Sequence, residues 1–137
     1  MATEILTRTL LALAITGVGV GAYGLANRYV LRRAAHKTRG LETFHPGAPA
    51  ILYFTTPACA PCKTIQRPAI IEVQKTLEYD VQVIEVNASS QTDMADYWGV
   101  LSVPTTFIID KTGQPRHINH GVTSARELIK QIEMYKN

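Results

Sequence analysis

Ala50-Ile51-Leu52-Tyr53-Phe54-Thr55-Thr56-Pro57-Ala58-Cys59-Ala60-Pro61-Cys62 is the stretch on which the reading of this 137-residue chain turns. The apolar run Ala50–Phe54 reads as a buried central strand. A short Thr-Thr-Pro loop follows, and then Ile65, Ala69, Ile70, Val73 and Leu77 recur near helical spacing. A strand passing through a short loop into a helix puts Cys59 at the helix N-terminus. Unpaired N–H groups and the positive end of the helix dipole favour a thiolate there. Cys62, the only other cysteine, stands one helical turn on and can close a disulfide after modest local movement. The pair offers reversible two-electron chemistry.

The helix is predicted over residues 59–78, with a kink at Pro68. Val81–Val86 is rich in β-branched residues and reads as a second strand, parallel to the first across a helical crossover. A short helix over Asp93–Trp98 ends at Gly99. Thr105–Asp110 gives a third strand, Asp110-Lys111-Thr112-Gly113 a turn, and Arg116–Asn119 a fourth strand. Ser124 and Glu127 form a capping box ahead of an amphipathic helix carrying Leu128, Ile129 and Ile132. The order β-α-β-α-β-β-α defines an α/β domain over residues 48–137.

Ahead of it, Thr9–Ala26 is a run of 18 residues without a charge. At about 1.5 Å per residue it makes roughly 27 Å of helix, close to the ~30 Å hydrocarbon core of a bilayer. Tyr23 and Tyr29 suit the interface, and Arg28 can snorkel. Residues 1–31 are therefore read as a transmembrane anchor and 32–47 as a basic juxtamembrane linker broken by Gly40 and His45-Pro46-Gly47-Ala48-Pro49. A cleaved signal peptide is the rival reading, with a small-x-small site at Gly24-Leu25-Ala26. The apolar run is longer than the usual ~7–15 residues of such peptides, and only Arg8, with Glu4 nearby, precedes it.

Charge separates the regions. Arg28, Arg32, Arg33, Lys37 and Arg39 follow the apolar run with no acid among them, whereas residues 41–137 hold eight Lys/Arg against ten Asp/Glu. The basicity lies beside the anchor and not on a domain face, which excludes a nucleic-acid partner. It also places the domain on the cytoplasmic side of a cell membrane by the positive-inside rule.

The element order, with Cys59-Ala60-Pro61-Cys62 at the first strand–helix junction, resembles the thioredoxin family. Lys63 after the second cysteine, Pro68 in the helix, Trp98-Gly99-Val100-Leu101-Ser102-Val103-Pro104-Thr105 downstream and Gly121 before the last helix carry the same resemblance. It implies a thioredoxin-like fold, a central four-stranded mixed sheet flanked by helices, and a thiol–disulfide oxidoreductase. The sequence departs from the family at Ala58 (usually Trp), Tyr53 (usually a buried Asp) and Val83 (usually its Lys partner), and the family's first strand and helix are missing. A buried acid–base pair thereby becomes tyrosine plus valine, which removes a proton acceptor for Cys62.

The resemblance assigns Cys59 as attacking thiolate and Cys62 as the resolving thiol. Ala60, Pro61, Lys63, Val103 and Pro104 support substrate, with Pro104 cis and the Val103 backbone open to an extended chain. The partners implied are protein disulfides or dithiols and an unidentified electron donor. No cofactor is needed beyond the Cys59–Cys62 pair. A second class stays open, a peptide-binding or metal-chaperone module on the same fold. Zinc held by both cysteines with His117 and His120 is disfavoured, because His-x-x-His falls below the usual spacing.

Overall fold

The computed structural model describes residues 1–34 and 39–136, with the side chains of Ala2 and Ala34 left out. His36 and Lys37 of the linker lie outside the described residues. The elements are α1 (Ala2–Ala34), β1 (Ala50–Thr55), a π-helical turn (Cys62–Gln66), α2 (Arg67–Thr76), β2 (Gln82–Asn87), α3 (Thr92–Trp98), β3 (Thr105–Ile109), β4 (Pro115–His120) and α4 (Ala125–Met134). The expected order holds. The four strands form one mixed sheet in the order β2-β1-β3-β4, with β1 parallel to β2 and antiparallel to β3.

Every residue of β1 is buried, as befits a strand covered on both faces. Its side chains alternate between two cores. Ala50, Leu52 and Phe54 join Val86, Met94, Trp98, Phe107, Ile109 and Ile118 under α3. Ile51 and Tyr53 join Cys62, Ile70, Val73, Ile108, Leu128 and Ile132 under α2 and α4.

The helix after Cys59 differs from the uniform one expected. Its helical backbone starts at Ala60, widens into the π turn, and ends at Thr76, short of Glu78. Pro68 has no N–H to give the carbonyl four residues back. The chain instead takes a wider turn, in which the Arg67 N–H reaches the Cys62 carbonyl, and Pro68 falls in the first turn of α2. Gly99 ends α3 with φ 70°, and the Ser124 Oγ accepts the Glu127 N–H at 3.3 Å to start α4.

Among the described residues α1 is the one helix long and apolar enough to cross a membrane, and none of its apolar stretch is buried. Only its last turns touch the domain. Val30 and Leu31 pack against the Trp98–Phe107 core, and the end of α1 lies along β4. From Arg39 onward the segment read as a linker also lies on the domain. Arg39 pairs with Asp93, its carbonyl accepts Trp98 Nε1–H at 3.0 Å, and Leu41 and Phe44 pack against the same core. Among the described residues β2 is an edge strand with no partner on its outer side. Gln82 at its start donates to the His45 and Ala48 carbonyls and accepts the His45 N–H.

Candidate active site

β1 delivers the chain into the Thr56–Ala58 loop, and the Cys59 N–H closes that loop on the Thr56 carbonyl at 3.1 Å. Cys59 and Cys62 are joined in a disulfide with Cα atoms 5.3 Å apart. The two sulfurs differ in environment. Cys62 is fully buried in the core beneath α2 and α4, whereas Cys59 is partly exposed at its margin. The Cys62 N–H points at the Cys59 sulfur, 3.3 Å away. A sulfur that is reachable, stands at a helix start and receives a backbone N–H is the one on which negative charge is stabilised. Ala60 and Pro61 form the exposed first turn between the cysteines.

The Val103–Pro104 peptide is cis. Pro104 is buried, and its carbonyl accepts the Gly121 N–H at 2.8 Å, which joins this loop to the one before α4. Val103 packs against the core that also borders Cys59. Among the described residues the Val103 N–H and C=O make no hydrogen bond. Val103 and Thr56 line one cleft of about 310 Å³ with Ala88, Val100 and Leu101. Leu101 is 95% exposed, an uncovered leucine at the rim of that cleft. Lys63 lies on the other side, exposed, in a smaller cleft with Arg67 and Glu85. The last two form an ion pair at 2.6 Å.

Three further residues shape the site, and of these sequence reasoning singles out only Tyr53, as the replacement of a buried acid. Tyr53 is buried beneath Cys62, and its hydroxyl donates to the Cys62 carbonyl at 3.0 Å. Burial pushes its pKa above the ordinary tyrosine value, so it stays neutral and serves as a donor, not a base. Gln66 is fully buried, and its amide clamps Thr123 in both directions, accepting the Thr123 N–H at 2.8 Å and donating to its carbonyl at 3.1 Å. Leu101 is the third. A buried glutamine inside an apolar helix face was the one legible signal for Gln66. His117 and His120 both lie on β4, and no group of three or more His, Cys, Asp or Glu that could hold a metal occurs among the described residues.

A β-α-β unit with a disulfide at the start of its crossover helix, facing a cis-proline loop, defines a thioredoxin-like thiol–disulfide centre. Residues 41–134 match the thioredoxin family model. The chain belongs to the thioredoxin family. It is 34% identical over 85 residues to chloroplastic thioredoxin Y of Oryza sativa subsp. japonica, covering 62% of this chain and 49% of that protein. It is 29% identical over 87 residues to the thioredoxin-like protein slr0233 of Synechocystis, covering 64% of this chain and 81% of that one. The chain thus spans about half the length of the rice protein and four-fifths of the cyanobacterial one. Among solved structures, oxidised mitochondrial thioredoxin 3 from Saccharomyces cerevisiae superposes with a TM-score of 0.54 at 23% identity, over 63% of this chain and 77% of that one. A thioredoxin-2 described as a component of the malaria parasite protein secretion machinery gives 0.58 at 21% identity, over 64% and 82%. These two likenesses concern the fold alone.

Proposed function

We propose that this chain is a membrane-anchored thiol–disulfide oxidoreductase that exchanges its Cys59–Cys62 pair with disulfides of protein substrates. The observation that carries the reading is the asymmetry of the pair, with Cys59 reachable and given the Cys62 N–H while Cys62 is sealed beneath it. In the reduced enzyme the Cys59 thiolate attacks a substrate disulfide and one substrate sulfur leaves as a thiolate. Cys62 then loses its proton and attacks Cys59, the mixed disulfide breaks, and the second substrate sulfur departs. Two electrons have passed to the substrate, and the enzyme is left in the disulfide state of this structure. An external dithiol donor must return them.

The open N–H and C=O of Val103 suit strand-like pairing with an extended substrate, with Pro104 and the Ala60-Pro61 turn flanking it. Lys63, exposed one residue after Cys62, adds positive charge on that side. Among the described residues no buried carboxylate packs in the core around Cys62, and neutral Tyr53 takes no proton. The resolving step is therefore slower than in a relative that keeps the acid. Residues 1–31 form the anchor, 32–47 the juxtamembrane segment and 48–137 the redox domain. The basic run after the anchor favours a cytoplasmic domain and hence a cytoplasmic dithiol donor.

Insulin reduction by the full chain with dithiothreitol tests the activity. Acceleration over buffer that disappears in Cys59→Ser is the expected result. Cys62→Ser should accumulate a mixed disulfide on Cys59. An unaccelerated wild type overturns the proposal. A reporter fused after residue 137 reads the sidedness.

A further inference from the structure

We infer that the junction between the anchor and the domain is a binding site for a zwitterionic phospholipid headgroup, a phosphodiester that carries an ammonium group. The inference rests on α1 spanning a bilayer. A cavity of about 380 Å³ lies where the end of α1 meets the end of α3, lined by Tyr29, Val30 and Arg33 on one side and by Asp96, Tyr97 and Trp98 on the other.

Depth comes first. The uncharged run ends at Ala26, so Tyr29 lies about 4.5 Å and Arg33 about 10 Å farther along the helix axis. Headgroups occupy roughly 5–8 Å beyond each side of the hydrocarbon core. The Tyr29 end of the cavity therefore lies near the headgroup level, and Arg33, just beyond it, leans its guanidinium back over Tyr29 toward that level. The cavity is also held there. The α1 helix is continuous from the apolar run to Ala34, and Val30 and Leu31 are packed into the domain core.

Charge comes second. Arg33 and Asp96 face one cavity from opposite walls, yet among the described residues they pair neither with each other nor with another charged group. Arg33 instead rests over the Tyr29 ring, 5.6 Å from its centroid. One turn before Val30 on the same helix face, the Asn27 Oδ1 is buried, and among the described residues no donor reaches it. A purely anionic headgroup would meet Arg33 but also the Asp96 carboxylate. A purely cationic group would meet the reverse. A group with a phosphate for Arg33 and an ammonium for Asp96 answers both walls at once.

The test is native mass spectrometry of the full chain in mild detergent. The chain is offered an equal mixture of phosphatidylethanolamine, phosphatidylcholine and phosphatidylglycerol with matched acyl chains. Wild type should retain one zwitterionic lipid with a preference of up to about fivefold over phosphatidylglycerol, the worth of one partly exposed ion pair. Arg33→Gln should lose retention of all three, and Asp96→Asn should retain phosphatidylglycerol as well as the others. Exchange of the Cys59–Cys62 disulfide with dithiothreitol, unchanged in both variants, shows that they are folded. Equal retention of all lipids by wild type, or wild-type behaviour in both variants, overturns the site. Free phosphoethanolamine that displaces the lipid at equal concentration would mean that the headgroup alone is the ligand, which overturns the lipid as its source. Vesicle flotation of the same preparation separates the two readings. A chain that fails to float removes the anchor and this site together, whereas one that floats without lipid preference removes the site only.

Discussion

On one face of the sheet, α2 and α4 enclose Ile51, Tyr53, Ile108 and Cys62, and the disulfide grows out of that core. On the other face, short α3 and the last turns of α1 cover Leu52, Phe54, Phe107 and Ile118, with no cysteine among them. The chemistry is built from the first face and the attachment from the second. A central strand whose side chains alternate makes the separation possible, because adjacent residues such as Tyr53 and Phe54 serve different cores. The end of α1 thus packs on the domain through Val30 and Leu31, away from the core that holds Cys62.

Trp98→Ala strikes the attachment face hardest. The Trp98 ring is fully buried, packs on Phe107 with centroids 4.9 Å apart, and gives its Nε1–H to the Arg39 carbonyl. Truncation should cost about 3–5 kcal/mol in chemical denaturation and loosen the segment from Arg39 onward. The equilibrium of the Cys59–Cys62 disulfide with dithiothreitol should stay where it is. A shift of that equilibrium as large as the one in stability would show that the faces are not separable.

Gln66→Ala is the matching change on the catalytic face. It leaves the Thr123 N–H and C=O without their buried partners, which costs about 1–3 kcal/mol. The loop it frees contains Gly121, whose N–H holds the Pro104 carbonyl. The substrate side should therefore suffer as well. KM for insulin should rise while reduction of a small aromatic disulfide is unchanged. Equal loss with both substrates would mean that the clamp serves stability alone.

Tyr53→Phe removes one donor and little volume. The Cys62 carbonyl loses its 3.0 Å bond from the Tyr53 hydroxyl, worth about 0.5–1.5 kcal/mol. Because burial keeps that phenol neutral, the pH profile of insulin reduction should keep its shape. A profile that changes shape would make Tyr53 a proton carrier.

What the sequence made legible follows from what is local. The apolar run Ala50–Phe54, the Cys59–Cys62 spacing, Gly99 and the Ser124 cap each announce themselves within a few residues, and all four sit where they were expected. The π turn did not, because it answers a hydrogen bond that Pro68 cannot make and no residue type signals the wider turn. The clamp of Gln66 on Thr123 spans 57 residues, and the packing of Leu41 and Phe44 on the Trp98 core is likewise a matter of distant contacts. Proline and glycine around residues 40–49 mark breaks in regular structure equally well whether the chain floats or lies on a surface. Gly40 shows the difference, since a Cβ there would stand 2.9 Å from the Met94 sulfur. The close approach of that glycine to α3 is set by Met94, a residue far away in the chain.

The smallest effect concerns proton uptake. His117 and Ile118 are neighbours in β4, and Ile118 enters the attachment-side core while His117 is half-buried on the other side. Burial holds the His117 pKa below the ordinary imidazole value, with the nearby Glu127 carboxylate pulling the other way. As pH falls, the unfolded chain takes up this proton first. Between the two pKa values the unfolded state binds more protons, so stability falls with falling pH in that window. Asp110 adds a second step of the same sign at lower pH. Burial pushes its carboxyl up, but hydrogen bonds from Thr112, Gln114 and Arg116 outweigh this and hold it below the usual carboxylate range. Its contribution is lost only as pH drops through that lowered value. Urea midpoints followed downward from neutral pH should show a shallow decline through the imidazole range and a steeper one in acid. His117→Gln should erase the first and leave the second, and a variant that keeps both would place the shallow step on another group.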